Sequence, residues 1–124
     1  YTSQYTLSLH DALPISGFSL SYQDQIEYNI WLAEQAHQRG LSVGLKNDLE
    51  QIPDLIAYFD WALVESCFSY RECERFLPFI QAGKAVFGVE YDLETNHFCP
   101  QANEMNFDFL KKNRELDAWR AACR

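Results

Sequence analysis

Three short apolar runs, LSVGL, FDWALVES and KAVFGVEY, stand between longer stretches with helical periodicity. This alternation constrains the chain more than any other feature. Short strands separated by amphipathic helices build parallel βαβ units, and their crossovers are right-handed. The stretch SYQDQIEYNIWLAEQAHQRG predicts the first helix. Ser21 and Asp24 have capping-box spacing, Ile26, Ile30, Ala33 and Ala36 form one apolar stripe, and Gly40 ends it. Asp48 with Gln51 is a capping pattern for a second helix, with Leu49, Ile52, Leu55 and Ile56 inward and Pro53 in its early turn. Ser69 and Glu72 form another such pattern ahead of YRECERFLPFIQAG, which Gly83 closes. DLETNHFCPQANEMN predicts a short helix, FDFLKKN a fourth strand and ELDAWRAACR a last helix.

Two architectures share this rhythm, the open doubly wound sheet and the (β/α)8 barrel. No GxGxxG or GxxxxGK[ST] follows any strand, which weakens the nucleotide-binding form of the open sheet. A complete barrel takes about 250 residues, and 124 residues supply about half of one.

Charge and cysteine content narrow the functional classes. The balance of 18 acidic against 10 basic residues, net −8, disfavours nucleic acid as a partner. No apolar run is long enough to cross a membrane. Cys67, Cys73, Cys99 and Cys123 show no CxxC spacing, and His37 and His97 complete no zinc pattern, so no metal site is expected. An even count fits a secreted protein with two disulfides, but four cysteines allow three pairings and four buried thiols remain the alternative. The short separation of Cys67 and Cys73 favours that pair, leaving Cys99 with Cys123.

Each strand ends in polar or charged residues. Lys46, Asn47 and Asp48 follow SVGL, Glu65 follows WALV, and Glu90 follows FGV. Ligands of parallel α/β folds meet the carboxyl ends of strands, and an unpaired buried charge is costly, so three neighbouring strands ending this way suggest a shared polar pocket. Lys46 shares a face with Gly44, and Glu90 with Gly88; glycine there leaves room for a substrate or a bulky neighbour. Tyr70, Tyr91 and Phe68, just past strand ends, are candidates to stack on sugar faces or to close the barrel top, and Trp61 fits either a core or a platform role. Trp31 is expected in the core. His37 lies near a helix C-terminus, where a cation is favoured.

The pieces LSVGLKND, FDWALVESCF and AGKAVFGVEY, with the tail FDFLKKN…LDAWR, resemble glycoside hydrolase family 114, the endo-α-1,4-polygalactosaminidases. The likeness is read from Gly17 to the C-terminus. It implies the C-terminal half of a (β/α)8 barrel, with about four parallel strands, and cleavage of galactosamine-containing polysaccharide. By the same resemblance, Glu65 is a catalytic carboxyl, and Lys46, Asn47, Asp48, Glu90 and Tyr91 line the substrate groove. No cofactor is required, and an extracellular location is expected. Family members more often carry Asn-Glu-Gln-Cys where this chain has Val64-Glu65-Ser66-Cys67. The family's second acid, an aspartate in a GVEPDN-like segment, belongs just before Gly17 and is absent there.

Thr6 to Ile15 reads as the translation of a common sequencing-adapter oligonucleotide. Residues 1–16 are therefore expected to be foreign to a hydrolase domain at 17–124. A half-barrel of this kind is expected to be inactive alone and to self-associate through open sheet edges. The alternative is a small non-catalytic α/β domain that binds carbohydrate or protein.

Overall fold

The computed structural model describes residues 18–124. The segment expected to be foreign, 1–16, lies outside them. The first helix, α1 (Tyr22–Gln38), begins as the sequence predicts. The Asp24 amide donates to Ser21 Oγ at 3.0 Å, and the Ser21 amide donates to Asp24 Oδ2 at 2.7 Å. Gly40 follows with φ of 70°, a left-handed turn that glycine adopts without a Cβ clash. Strand β1 (Gly44–Lys46) is next, then a 3-10 turn at Leu49–Gln51 and α2 (Ile52–Leu55), which holds Pro53 in its first turn. Strand β2 (Trp61–Glu65) leads through a 3-10 turn at Cys73–Phe76 into α3 (Leu77–Gln81). Strand β3 (Ala85–Glu90), α4 (Thr95–Glu104), β4 (Asp108–Lys112) and β5 (Arg120–Ala122) complete the chain.

The strands lie in sequence order in one sheet. β1 to β4 are parallel, with Gly44 opposite Trp61, Glu65 opposite Val89, and Glu90 opposite Lys111. β5 runs antiparallel along β4, with Leu110 opposite Ala122. The predicted last helix is therefore a strand. Leu116 adopts φ of 55°, which stops a helix. The Trp119 amide bonds Asp117 Oδ1 at 3.1 Å, and a disulfide ties Cys123 to Cys99 on α4. The edge of β4 takes the tail as its partner.

Alternation along the strands divides the sheet into two faces. Leu45, Ala62, Val64, Val86 and Phe109 are buried in one cluster with Ile26 and Ala33 of α1, Leu55 of α2, Phe79 of α3, and Phe98 and Ala102 of α4. All four helices of the described residues thus contribute to the core on one side of the sheet. A doubly wound sheet carries helices on both faces; helices on one face alone are the half-barrel arrangement, as predicted. The second face carries Gly44, Lys46, Trp61, Leu63, Glu65, Ala85, Phe87 and Val89. Their exposure rises toward β3, where Ala85 and Phe87 are open to solvent. In a closed barrel this face points to the interior.

The glycines on both faces make room for aromatic rings. A Cβ on Gly44 would overlap the Trp61 ring, and one on Gly88 the Phe109 ring. Phe109 joins Phe68, Phe98 and Phe107 in a set of ring contacts with centroids 5.1–6.3 Å apart. Of the two uses weighed for these glycines, a bulky neighbour is the one observed.

Candidate active site

The carboxyl ends of β1 and β2 bring opposite charges together. Lys46 and Glu65 both point to the open face, and Lys46 Nζ lies 3.2 Å from Glu65 Oε1. The Glu65 side chain keeps 15% of its surface exposed and the Lys46 side chain 35%. The pair is thus sheltered from solvent without being sealed from a ligand.

Backbone geometry fixes this corner. Asn47 and Asp48 adopt consecutive left-handed conformations, φ 54° and 51°, and Ser66 does the same directly after Glu65 at 59°. Asn and Asp tolerate this region better than most residues. Asn47 is buried; its amide donates to the Leu63 carbonyl at 2.8 Å, and its Oδ1 accepts from the Glu65 amide at 3.1 Å. Asn47 therefore fastens the end of β1 to the backbone of Glu65 itself.

Asp48 does not cap the following turn with its side chain. A left-handed N-cap cannot present the extended geometry a cap needs. Instead Asp48 Oδ2 accepts from Asn29 Nδ2 of α1 at 3.2 Å, and Asn29 Oδ1 accepts from Gln25 Nε2 at 3.1 Å. Burial, with a smaller contribution from Glu50, pushes the Asp48 carboxyl up to about 6.

Glu90, expected in the groove, lies on the helix side and is fully buried. Its Oε1 accepts from the amides of Phe68 at 2.7 Å and Ser69 at 3.3 Å, and its Oε2 from Ser69 Oγ at 2.6 Å. Three donors offset the cost of burying the carboxylate. Ser69, the expected helix cap, is engaged here, which is why the next helical turn starts only at Cys73. Glu90 and the Cys67–Cys73 disulfide together staple the loop after β2. Both disulfides have the favoured pairing. The single shared pocket predicted from three strand ends is thus two structures: an open-face pair on β1 and β2, and a buried clamp under the neighbouring loop.

Tyr91 follows β3 and is half-buried, with the Arg114 guanidinium 5.9 Å from its ring centre. Arg114 also pairs with Asp92. Phe68 packs into the core aromatic set, while Tyr70 is exposed. His37 bonds Asp60 at 2.8 Å, away from the carboxyl ends of the strands. Among the described residues no group of three or more His, Cys, Asp or Glu side chains is arranged to hold a metal. Nor is any described helix long and apolar enough to cross a membrane.

The sequence signal for Asn47 as a brace is its position one residue past a charged strand end, in a residue type that accepts left-handed φ. Nothing in the local sequence announces Gln25 and Asn29, because they act across α1 from 19 or more residues away.

No curated protein matches the chain. Among solved structures, that of Ega3 from Aspergillus fumigatus in complex with galactosamine is similar, with a TM-score of 0.81 and 33% identity. The likeness covers 94% of this chain and 52% of that one, so the chain spans about half the length of the relative. The sequence profile of glycoside-hydrolase family GH114 matches residues 5–124. That match corrects the expectation of a likeness confined to a C-terminal half beginning at Gly17, with Tyr5–Ser16 set apart as adapter-derived: the likeness begins at Tyr5 and takes in nearly the whole chain. The fold and this match agree: the chain belongs to glycoside-hydrolase family GH114.

Proposed function

We propose that the chain supplies the Glu65-bearing part of a hydrolase that cleaves galactosamine-containing polysaccharide. The observation that carries this reading is the Lys46–Glu65 pair at the carboxyl ends of β1 and β2, the end of a closed barrel at which substrate binds. The galactosamine bound to the similar Ega3 structure supports the substrate class. The net charge of −8 suits a sugar polymer bearing ammonium groups.

Glycoside hydrolysis uses two carboxyl groups flanking the scissile bond. Glu65 is one in this reading, acting as acid/base. Lys46 holds its carboxylate in place until substrate arrives, and Asn47 holds its backbone. Asp48 and Tyr91 border the groove. Glu90 keeps the adjoining loop rigid instead of touching sugar. The second carboxyl comes from other strands of the family barrel, so the described half binds substrate without turning it over. Two disulfides fit an extracellular protein. The outer edges of β1 and β5 end the strand order among the described residues and offer sites for self-association.

The test is an NMR titration of the chain with galactosamine oligosaccharides. Shifts concentrated at Lys46, Asn47 and Glu65 support the reading. Binding that leaves these amides unmoved contradicts it.

A further inference from the structure

Helix α1 carries a surface that hydrolysis does not use. Trp31, expected in the core, is 54% exposed, and Tyr28 is 47% exposed. A spacing of three residues places them side by side on one helical face. Their rings lie 18° from parallel with centroids 6.3 Å apart. The core-facing residues of α1 are Gln25, Ile26 and Ala33, and at 3.6 residues per turn Trp31 projects to the opposite side. Glu27 and Glu34 stand four residues before and three after Trp31, both exposed, so carboxylates border the indole along the helix. Glu27 also accepts from Gln23 Nε2 at 3.2 Å.

We propose that the Tyr28–Trp31 face of α1 is a second carbohydrate site, built for a polymer of amino sugars in the ammonium form. Two near-parallel aromatic rings offer flat apolar area on which the apolar face of a pyranose packs. Cations are attracted to the faces of tryptophan and tyrosine rings, and Glu27 and Glu34 add opposite charge beside the same rings. A neutral glycan gains the stacking alone. An anionic one meets the net negative charge of the chain. The site lies on the helix side of the sheet, away from Lys46 and Glu65, so polymer held there leaves the open face free. Tethering by one site raises the local concentration of neighbouring sugar at the other. That the polymer is galactosamine rests on the function proposed above; the amino-sugar chemistry rests on α1 itself.

The test measures binding of the full chain to two soluble polymers, de-N-acetylated α-1,4-galactosaminan and chitosan, for wild type, Trp31→Ala, Trp31→Phe and Glu27→Gln/Glu34→Gln. The site predicts that Trp31→Ala weakens binding by about tenfold, that Trp31→Phe restores most of it, and that the double glutamine variant flattens the salt dependence. Circular dichroism checks that each variant is folded, as exposed positions allow. Equal affinity of wild type and Trp31→Ala for both polymers overturns the site. So does a loss of dimer on Trp31→Ala with unchanged glycan affinity, which assigns the face to another protein surface. Trp31-dependent binding of chitosan with no binding of galactosaminan keeps the site and removes galactosamine as the substrate.

Discussion

Lys46 and Glu65, separated by 19 positions in sequence, meet at 3.2 Å on the uncovered face of the sheet. Adjacent parallel strands bring them there, and Asn47 locks the corner by accepting from the Glu65 amide. A partly exposed ion pair contributes about 0–1 kcal/mol to stability, so the fold draws little from its placement.

Replacing Lys46 with Met separates these two roles. The midpoint of unfolding is expected to stay within a few degrees, because the pair contributes little. Affinity for galactosamine oligosaccharide should fall by about tenfold, because Glu65 loses the partner that orients it. Thermal denaturation and calorimetric titration on the same samples check both expectations. A large stability loss with unchanged affinity would reverse the assignment.

Asp48 makes stability depend on pH in a definite direction. Its folded value of about 6 lies above the ordinary carboxyl value of 3.8. The native state therefore holds a proton that the unfolded chain has released, and this contribution to stability is lost as pH rises from about 4 to about 6. Two units at full burial amount to about 3 kcal/mol, and the solvent-facing part of the carboxyl reduces this to about 1 kcal/mol. Asp48→Asn should remove that slope. Urea denaturation at pH 4 and pH 7 reads it; an identical slope in the variant refutes the claim.

Gly88 has no room for a side chain. A methyl group there overlaps the Phe109 ring in the middle of the aromatic core. Gly88→Ala is expected to cost about 1–3 kcal/mol, the usual range for overpacking, and to alter the near-ultraviolet circular dichroism of the aromatic cluster. An unshifted midpoint would show that Phe109 moves aside freely.

The Cys99–Cys123 disulfide closes a separation of 24 residues. Loop closure of that length is worth about 3 kcal/mol. Cys99→Ser/Cys123→Ser should lower stability by that order and free β5, exposing the segment after β4 to proteolysis. Limited proteolysis at Arg114 and Arg120 checks this; unchanged resistance would mean that strand pairing alone holds the tail.

The βα rhythm was legible because strand and helix periodicities differ and glycines mark the ends: Ser21, Asp24, Gly40 and Gly83 act as read. The last strand was not legible. Its direction depends on an edge of β4 and a distant cysteine, neither of which leaves a local pattern. Glu65 and Lys46 were recognisable as charges ending apolar strands. Glu90 gave the same signal, yet the alternation of side chains sends it to the other face, where loop amides and Ser69 satisfy it. Asp48 carried a cap pattern that its left-handed backbone overrides, because Asn29 competes for the carboxylate. Local sequence indicates which residues end a strand; tertiary partners decide what each is for.

The central claim is that Glu65 takes part in bond cleavage. It is tested most directly by galactosamine oligomer release from de-N-acetylated galactosaminan, by the chain assembled with the complementary strands of a family barrel, with and without Glu65→Gln. Loss of an acid/base carboxyl lowers turnover by about 10²–10⁴-fold. A fall of that size, with polymer binding retained, is the predicted result. Undiminished release by the Glu65→Gln protein would contradict it.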